Sequence, residues 1–161
     1  MEIQNITIPV RVYSSINELS KADQELIILA GEALEYSYSP YSSFKVGAAA
    51  ILEDGSTIYG SNQENSSYGV TLCAERVLVA GHIASGNKNK IKTIAITYKS
   101  LSTGYEMPIT PCGICRQTLS EVEKLQKQPI RLILYGKNFI WEIEKTSDIL
   151  PLAFGNEILS T

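Results

Sequence analysis

All three cysteines of this chain fall into one pattern: Cys73-Ala74-Glu75, then, 39 positions beyond Cys73, Cys112-Gly113-Ile114-Cys115 behind Pro111. Thiols grouped in this way point to a bound zinc ion. A structural zinc is almost always held by four protein ligands, whereas a catalytic zinc has three and keeps its last position for water or substrate. The only imidazole, His82, lies nine residues past Cys73. That is about 13 Å along a helix at about 1.5 Å per residue, too far to share bonds of about 2.0 to 2.3 Å. The fourth position therefore goes to water. Glu75, two residues after a ligand, stands where a carboxylate reaches that water and moves its proton. Arg76 follows, and its guanidinium offsets the charge of three thiolates by donating to ligand sulfur. Without the paired cysteine motif, Glu75 would be an ordinary first-turn glutamate favoured by the helix dipole, and Arg76 a surface arginine.

The elements around the motif must hold it in place. Residues 3–13 alternate apolar and polar like a strand, with Pro9 restricting them to the periphery of a sheet. Ser20 and Asp23 form a capping arrangement, and Ala22, Leu26, Ile27, Ala30 and Leu34 recur at helical spacing through about residue 37. Residues 44–52 read as a buried strand that turns at Asp54-Gly55, a two-residue hairpin signal, into a returning strand over 57–62. A second helix begins at Cys73 and runs to about Ser85, with Gly86 as its stop. A third strand covers 91–98, Pro111 introduces a helix from Cys112 to Leu125, and strands follow at 130–135 and 139–143. Both ligand groups thus open helices, where unpaired amide N–H groups and the macrodipole stabilise thiolate. Strands alternating with helices give a layered α/β domain with a mixed sheet.

Composition narrows the function. With 161 residues, 44% hydrophobic and 19% charged, the chain can bury a core as one domain. A net charge of -3 argues against the basic footprint of a polynucleotide binder and favours a small diffusible substrate. The cluster Lys88, Lys90 and Lys92 reads as a solvated turn. Three cysteines committed to one motif fit a reducing, cytoplasmic setting better than a disulfide scaffold, and no stretch approaches the roughly 18 apolar residues of a membrane span.

Taken together, Cys73-Ala74-Glu75-Arg76 and Pro111-Cys112-Gly113-Ile114-Cys115-Arg116-Gln117 strongly resemble the small, free-standing cytidine deaminases. Three further segments agree: residues 39–48, Asn62-Gln63-Glu64-Asn65 and residues 150–155. The resemblance spans residues 20–159. It implies a three-layer cytidine-deaminase-like α/β fold, a mixed five-stranded sheet flanked by helices, with residues 1–19 as an extension and 20–161 as the zinc-dependent domain. It further implies that Cys73, Cys112 and Cys115 hold Zn²⁺, Glu75 shuttles protons, Asn62 and Glu64 bind the sugar hydroxyls, the backbone N–H of Ala74 meets the base carbonyl, and Phe44 flanks the pyrimidine. The family is commonly a homotetramer with sites at subunit boundaries, so Phe154 is expected to reach a neighbour's site. The implied reaction is hydrolytic deamination of cytidine and 2′-deoxycytidine in pyrimidine salvage. The chain departs from the family's usual text at Lys45 and Asn156, where proline is frequent, in residues 1–14, and in the absence of a proline from residues 66–71.

Other readings remain open on sequence. Blasticidin deaminases share the glutamate and cysteine motifs, and deamination of a related aminopyrimidine nucleoside is the nearest alternative. Outside enzymology stand a structural zinc module, which needs a fourth protein ligand, and a dithiol redox protein using Cys112 and Cys115, which leaves Cys73 and Glu75 without a purpose.

Overall fold

A computed structural model describes residues 1–100 and 104–155. In chain order the described elements are β1 (Arg11–Tyr13), α1 (Lys21–Glu32), β2 (Phe44–Leu52), β3 (Thr57–Ser61), α2 (Ala74–Ala84), β4 (Ile91–Ser100), α3 (Gly113–Gln126), β5 (Arg131–Tyr135) and β6 (Ile140–Ile143), with short 3-10 turns between some of them. The strands form one sheet in the order β1-β6-β5-β4-β2-β3. Only the β4–β5 pair within it is parallel, with α3 in the crossover between them; the other pairs are antiparallel. The sheet is thus mixed, but it has six strands and not five. The extra one is the peripheral segment: Arg11, Val12 and Tyr13 pair with Glu142, Trp141 and Ile140 at the edge of β6. Only three residues of the 3–13 stretch join. Pro9 has no N–H to give a ladder and stands just before the paired residues.

The core divides by side-chain parity along the strands. Ala48, Ala50, Ile94, Ile96, Leu132 and Leu134 meet Ala74, Leu78 and Val79 of α2 and Leu119 of α3. Ala49, Ala95 and Ile133 face the other way, against Leu26, Ile27 and Ala30 of α1. Alternation across the pleat therefore produces three layers, α1 on one face and α2 with α3 on the other. Each fully buried Leu or Ile stabilises this arrangement by about 1.5 to 3 kcal/mol.

Boundaries shift where local chemistry competes. Ser20 caps α1 as expected, its Oγ accepting from the Asp23 N–H at 3.2 Å. The α-helix stops at Glu32, short of residue 37, and tightens into a 3-10 turn over Ala33–Tyr36. The chain must leave helical geometry there because Tyr38 donates its N–H to the Asn62 carbonyl at 3.0 Å. The β2–β3 turn is also wider than a two-residue loop. Leu52 and Ser56 are bonded at 2.8 Å, and Gly55 sits between them at φ 85°, a left-handed conformation that glycine adopts without strain.

Two contacts fix the helices that open at the cysteines. At Gly60 of β3, an added Cβ would stand 2.6 Å from the Leu78 nitrogen and 2.7 Å from the Ala74 carbonyl oxygen, so α2 lies directly on the strand. In α3, the buried Glu123 carboxylate accepts from the N–H of Ile130 at 2.9 Å and from the N–H and hydroxyl of Thr146 at 2.8 Å each, with Ser147 N–H at 3.3 Å. Burial opposes ionisation of Glu123, but these four donors outweigh it and its pKa is lowered.

Gly60→Ala should destabilise the protein by about 1 to 3 kcal/mol, the cost of overpacking, read as a lowered denaturation midpoint. Glu123→Gln should cost about 1.5 to 3 kcal/mol at pH 7, because an amide cannot satisfy those donors as a charged acceptor does. A lowered folded-state pKa gives stability present above the unfolded value of about 4.3 and lost as pH falls through the folded one. The gap between wild type and Glu123→Gln should therefore narrow below about pH 4 in denaturant titrations, and a gap independent of pH would contradict the assignment.

Candidate metal centre and active site

Cys73 is the N-cap of α2 and Cys112 the N-cap of α3, with Cys115 in the first turn of α3. Two helix N-termini thus meet at three sulfurs. The Sγ atoms of Cys73 and Cys112 are 3.7 Å apart, those of Cys112 and Cys115 are 3.5 Å apart, and all three lie within 4.8 Å of one another. Tetrahedral zinc with bonds of about 2.3 Å would separate two sulfurs by about 3.8 Å, so the donor set fits that ion in both chemistry and spacing. Cys115 is buried, Cys73 half-buried and Cys112 exposed, which opens the group to solvent on one side. Donation from Cys115, followed by the smaller effect of Cys112, draws Cys73 down to about 6, and the Arg76 charge adds to this. The same hydrogen bond holds the Cys115 proton, and burial pushes its pKa up further.

No histidine belongs to the group among the described residues. His82 sits half-buried in the last turn of α2, its buried Nδ1 without a partner. Glu75, in the first turn of the same helix, is only 5% exposed. Burial pushes its carboxyl pKa up, while its own backbone N–H and the Cys115 thiol pull the other way without prevailing. The carboxyl thus adjoins the sulfurs and holds its proton more readily than a solvated glutamate, as an acid–base group needs. Arg76 donates from Nη1 to the Thr71 carbonyl at 3.4 Å, which pins the loop before Cys73. Its effect on sulfur comes through its field.

Asn62 is buried, and most of its side-chain capacity is committed. Its Oδ1 accepts from Ser37 Oγ at 2.6 Å and Val46 N–H at 2.8 Å, and its Nδ2 donates to the Phe44 carbonyl at 2.9 Å. Both lone-pair positions are filled and one N–H remains. Glu64 accepts from the N–H groups of Tyr41 at 2.8 Å and Ser42 at 3.3 Å, and from the Ser42 hydroxyl in a short contact. That hydroxyl lowers the Glu64 pKa, with the two amides assisting against desolvation. Gln63, between them, exchanges backbone hydrogen bonds of 2.9 Å with Leu72, beside Cys73. Residues 62–64 are therefore tied to the first ligand. Phe44 opens β2 with its ring stacked 5.1 Å from Tyr98. Ala74, fully buried, opens α2.

Phe154 lies apart from these groups, 63% exposed beside a groove of about 510 Å³ between α2 and α3. Its carbonyl accepts from Gln117 Nε2 at 3.1 Å, two residues past Cys115. The substitution at Asn156 lies outside the described residues, as does the end of the matching span. Three positioning residues escape a reading of the sequence alone. Gly60 carries no signal beyond being a glycine in a strand, Tyr98 none beyond being aromatic, and Arg116 only its place after Cys115. Yet Arg116 holds the second ligand loop, donating to Pro111 O at 2.8 Å, Thr110 Oγ1 at 3.2 Å and Ile149 O at 3.2 Å.

Residues 20–128 match the model of the cytidine and deoxycytidylate deaminase zinc-binding region. A cytidine deaminase of Halalkalibacterium halodurans is 38% identical over 136 residues, covering 83% of this chain and 95% of that protein. One from Sporosarcina psychrophila is 37% identical over 139 residues, covering 85% and 94%. Among solved structures, the cytidine deaminase of Burkholderia pseudomallei superposes with a TM-score of 0.69 at 36% identity, covering 81% of this chain and 97% of that one. That of Mycobacterium tuberculosis gives 0.64 at 34% identity, covering 81% and 95%. The sulfur triad at two helix starts, the buried glutamate beside it and these matches agree, and the chain belongs to the cytidine and deoxycytidylate deaminase family of zinc enzymes.

Proposed function

We propose that this protein converts cytidine and 2′-deoxycytidine to uridine and 2′-deoxyuridine with release of ammonia, as a step of pyrimidine salvage. The observation that carries the reading is the buried Glu75 carboxyl beside three converging thiols that open to solvent at Cys112. Zinc held by Cys73, Cys112 and Cys115 supplies the Lewis acidity that makes water a nucleophile near neutral pH. Glu75 accepts the proton of the water that adds at C4 and passes it to ring N3. As the C4–N4 bond breaks, Glu75 takes the proton of the newly added C4 hydroxyl, which becomes the product carbonyl, and delivers it to the exocyclic nitrogen, which leaves as ammonia.

The other residues bind and orient. Phe44 flanks the pyrimidine, and its stacking on Tyr98 leaves it little freedom to turn away. The Ala74 N–H, one of the unpaired donors of a helix start, meets the base carbonyl. Asn62 gives its remaining N–H to a sugar oxygen, while Glu64 accepts from a sugar hydroxyl through lone pairs not used by Tyr41 and Ser42. Arg76 steadies the Thr71–Cys73 loop and offsets the thiolate charge.

The working form is a homotetramer, in which Phe154 reaches a neighbour's site. Its 63% exposure beside the α2–α3 groove supports that reading. Residues 20–161 form the catalytic domain. Residues 1–19 are an extension, fastened through Arg11 to Glu142 at 2.6 Å and Glu144 at 3.3 Å. The setting is cytoplasmic, in keeping with three thiols free of disulfides. Among the described residues no helix is long and apolar enough to cross a membrane.

Glu75→Gln should retain zinc and lose about 10² to 10⁴ in turnover, measured as ultraviolet loss of cytidine beside metal analysis of the same sample. Turnover near wild type would sink the assignment. Removing zinc with a chelator should abolish deamination and lower thermal stability together, because ligand binding energy is folding energy, and added zinc should restore both.

A further inference from the structure

The sheet has a second concave site on the face turned away from the cysteines. Along β2, Lys45 shares parity with Ala49, which packs under α1, whereas Phe44 and Val46 point to the α2–α3 side. In the antiparallel β2–β4 pair Lys45 stands directly opposite Lys99. Directly opposed like charges weaken a strand pair. Elsewhere on the sheet, cations at cross-strand positions are neutralised: Arg11 by Glu142 and Glu144, Arg131 by Asp23 and Glu142. Neither Lys45 nor Lys99 has a carboxylate within 4.0 Å among the described residues. Both instead line a cavity of about 340 Å³ with Ser39, Ser43 and Glu35.

The loop that closes this cavity is held in an uncommon shape. Ser43 has φ 55°, a left-handed conformation rare outside glycine, and its N–H closes a turn on the Ser39 carbonyl at 3.0 Å. That turn places Ser43 at the wall of the cavity that Lys45 and Lys99 also line. Two cations, two hydroxyls and one carboxylate form the donor and acceptor set of a hydrogen phosphate: the cations and hydroxyls meet its charged oxygens and the carboxylate accepts its P–OH proton.

We propose that Lys45, Lys99, Ser39, Ser43 and Glu35 form a binding site for a small phosphate-bearing anion, separated by the sheet from the metal centre. Inorganic phosphate and a sugar phosphate share the required chemistry. The site does not depend on the deaminase reading, and it weakens with salt because both cations are near solvent.

The test is calorimetric titration of the full-length protein, at low ionic strength, with inorganic phosphate, ribose 5-phosphate and sulfate. Saturable phosphate binding is expected. It should fall by about tenfold or more in each of Lys45→Gln and Lys99→Gln, the scale of one charge interaction near a surface. Their circular dichroism melting curves check that both variants stay folded. Sulfate, which has no proton to offer at neutral pH, should bind more weakly than phosphate in the wild type and gain on it in Glu35→Gln. The tighter of phosphate and ribose 5-phosphate identifies the source. Absence of saturable phosphate binding, or equal binding in wild type and both folded lysine variants, overturns the proposal. Equal sulfate and phosphate binding in the wild type overturns the role given to Glu35.

Discussion

Everything at the metal centre depends on two helix N-termini meeting over one face of the sheet. Three sulfurs can approach to 3.5 and 3.7 Å only because Cys73 and Cys112 cap α2 and α3 while Cys115 sits one turn further in. Helix starts suit this task electrostatically, since their free amides and dipoles favour negative charge. Their placement is set elsewhere. Gly60 lets α2 lie against β3, Arg116 holds the Thr110–Pro111 loop, and Glu123 ties α3 to the Ile130 and Thr146 amides. These contacts are far apart in sequence, and each places a helix end rather than touching a reacting group.

Much of the architecture was legible because the periodicity of its segments is strong. The buried apolar run of β2, the cap at Ser20 and the starts of α2 and α3 all follow from local pattern and helix-end chemistry. What local pattern could not give was competition between distant groups. The helix after Lys21 yields at Glu32 because Tyr38 is bonded to Asn62, twenty-four residues further on. The peripheral strand was legible in the alternation of residues 3–13, but its partner was not: Arg11 finds Glu142 in β6, which makes six strands where the family resemblance implied five.

The cysteines and Glu75 could be picked out because their chemistry is rare: three thiols and a carboxylate at fixed spacing admit few other purposes. The structure brings the three sulfurs together and buries the glutamate beside them. The residues expected at the sugar were legible as a motif but not as geometry. Asn62 and Glu64 turn out to hold the Phe44–Val46 backbone and the Tyr41–Ser42 turn as well. Gly60 and Arg116 left no comparable trace, since a strand glycine and a helical arginine occur for many reasons.

The state of Asn62 restricts what can lie against it. With Oδ1 filled by Ser37 and Val46, the amide presents only hydrogen to an incoming molecule. At the proposed sugar contact, an inhibitor carrying an ether or carbonyl oxygen finds a complementary neighbour, whereas one carrying an ammonium group meets hydrogen against hydrogen. Selectivity at this spot is therefore written by the sheet's own bonding, before any molecule arrives.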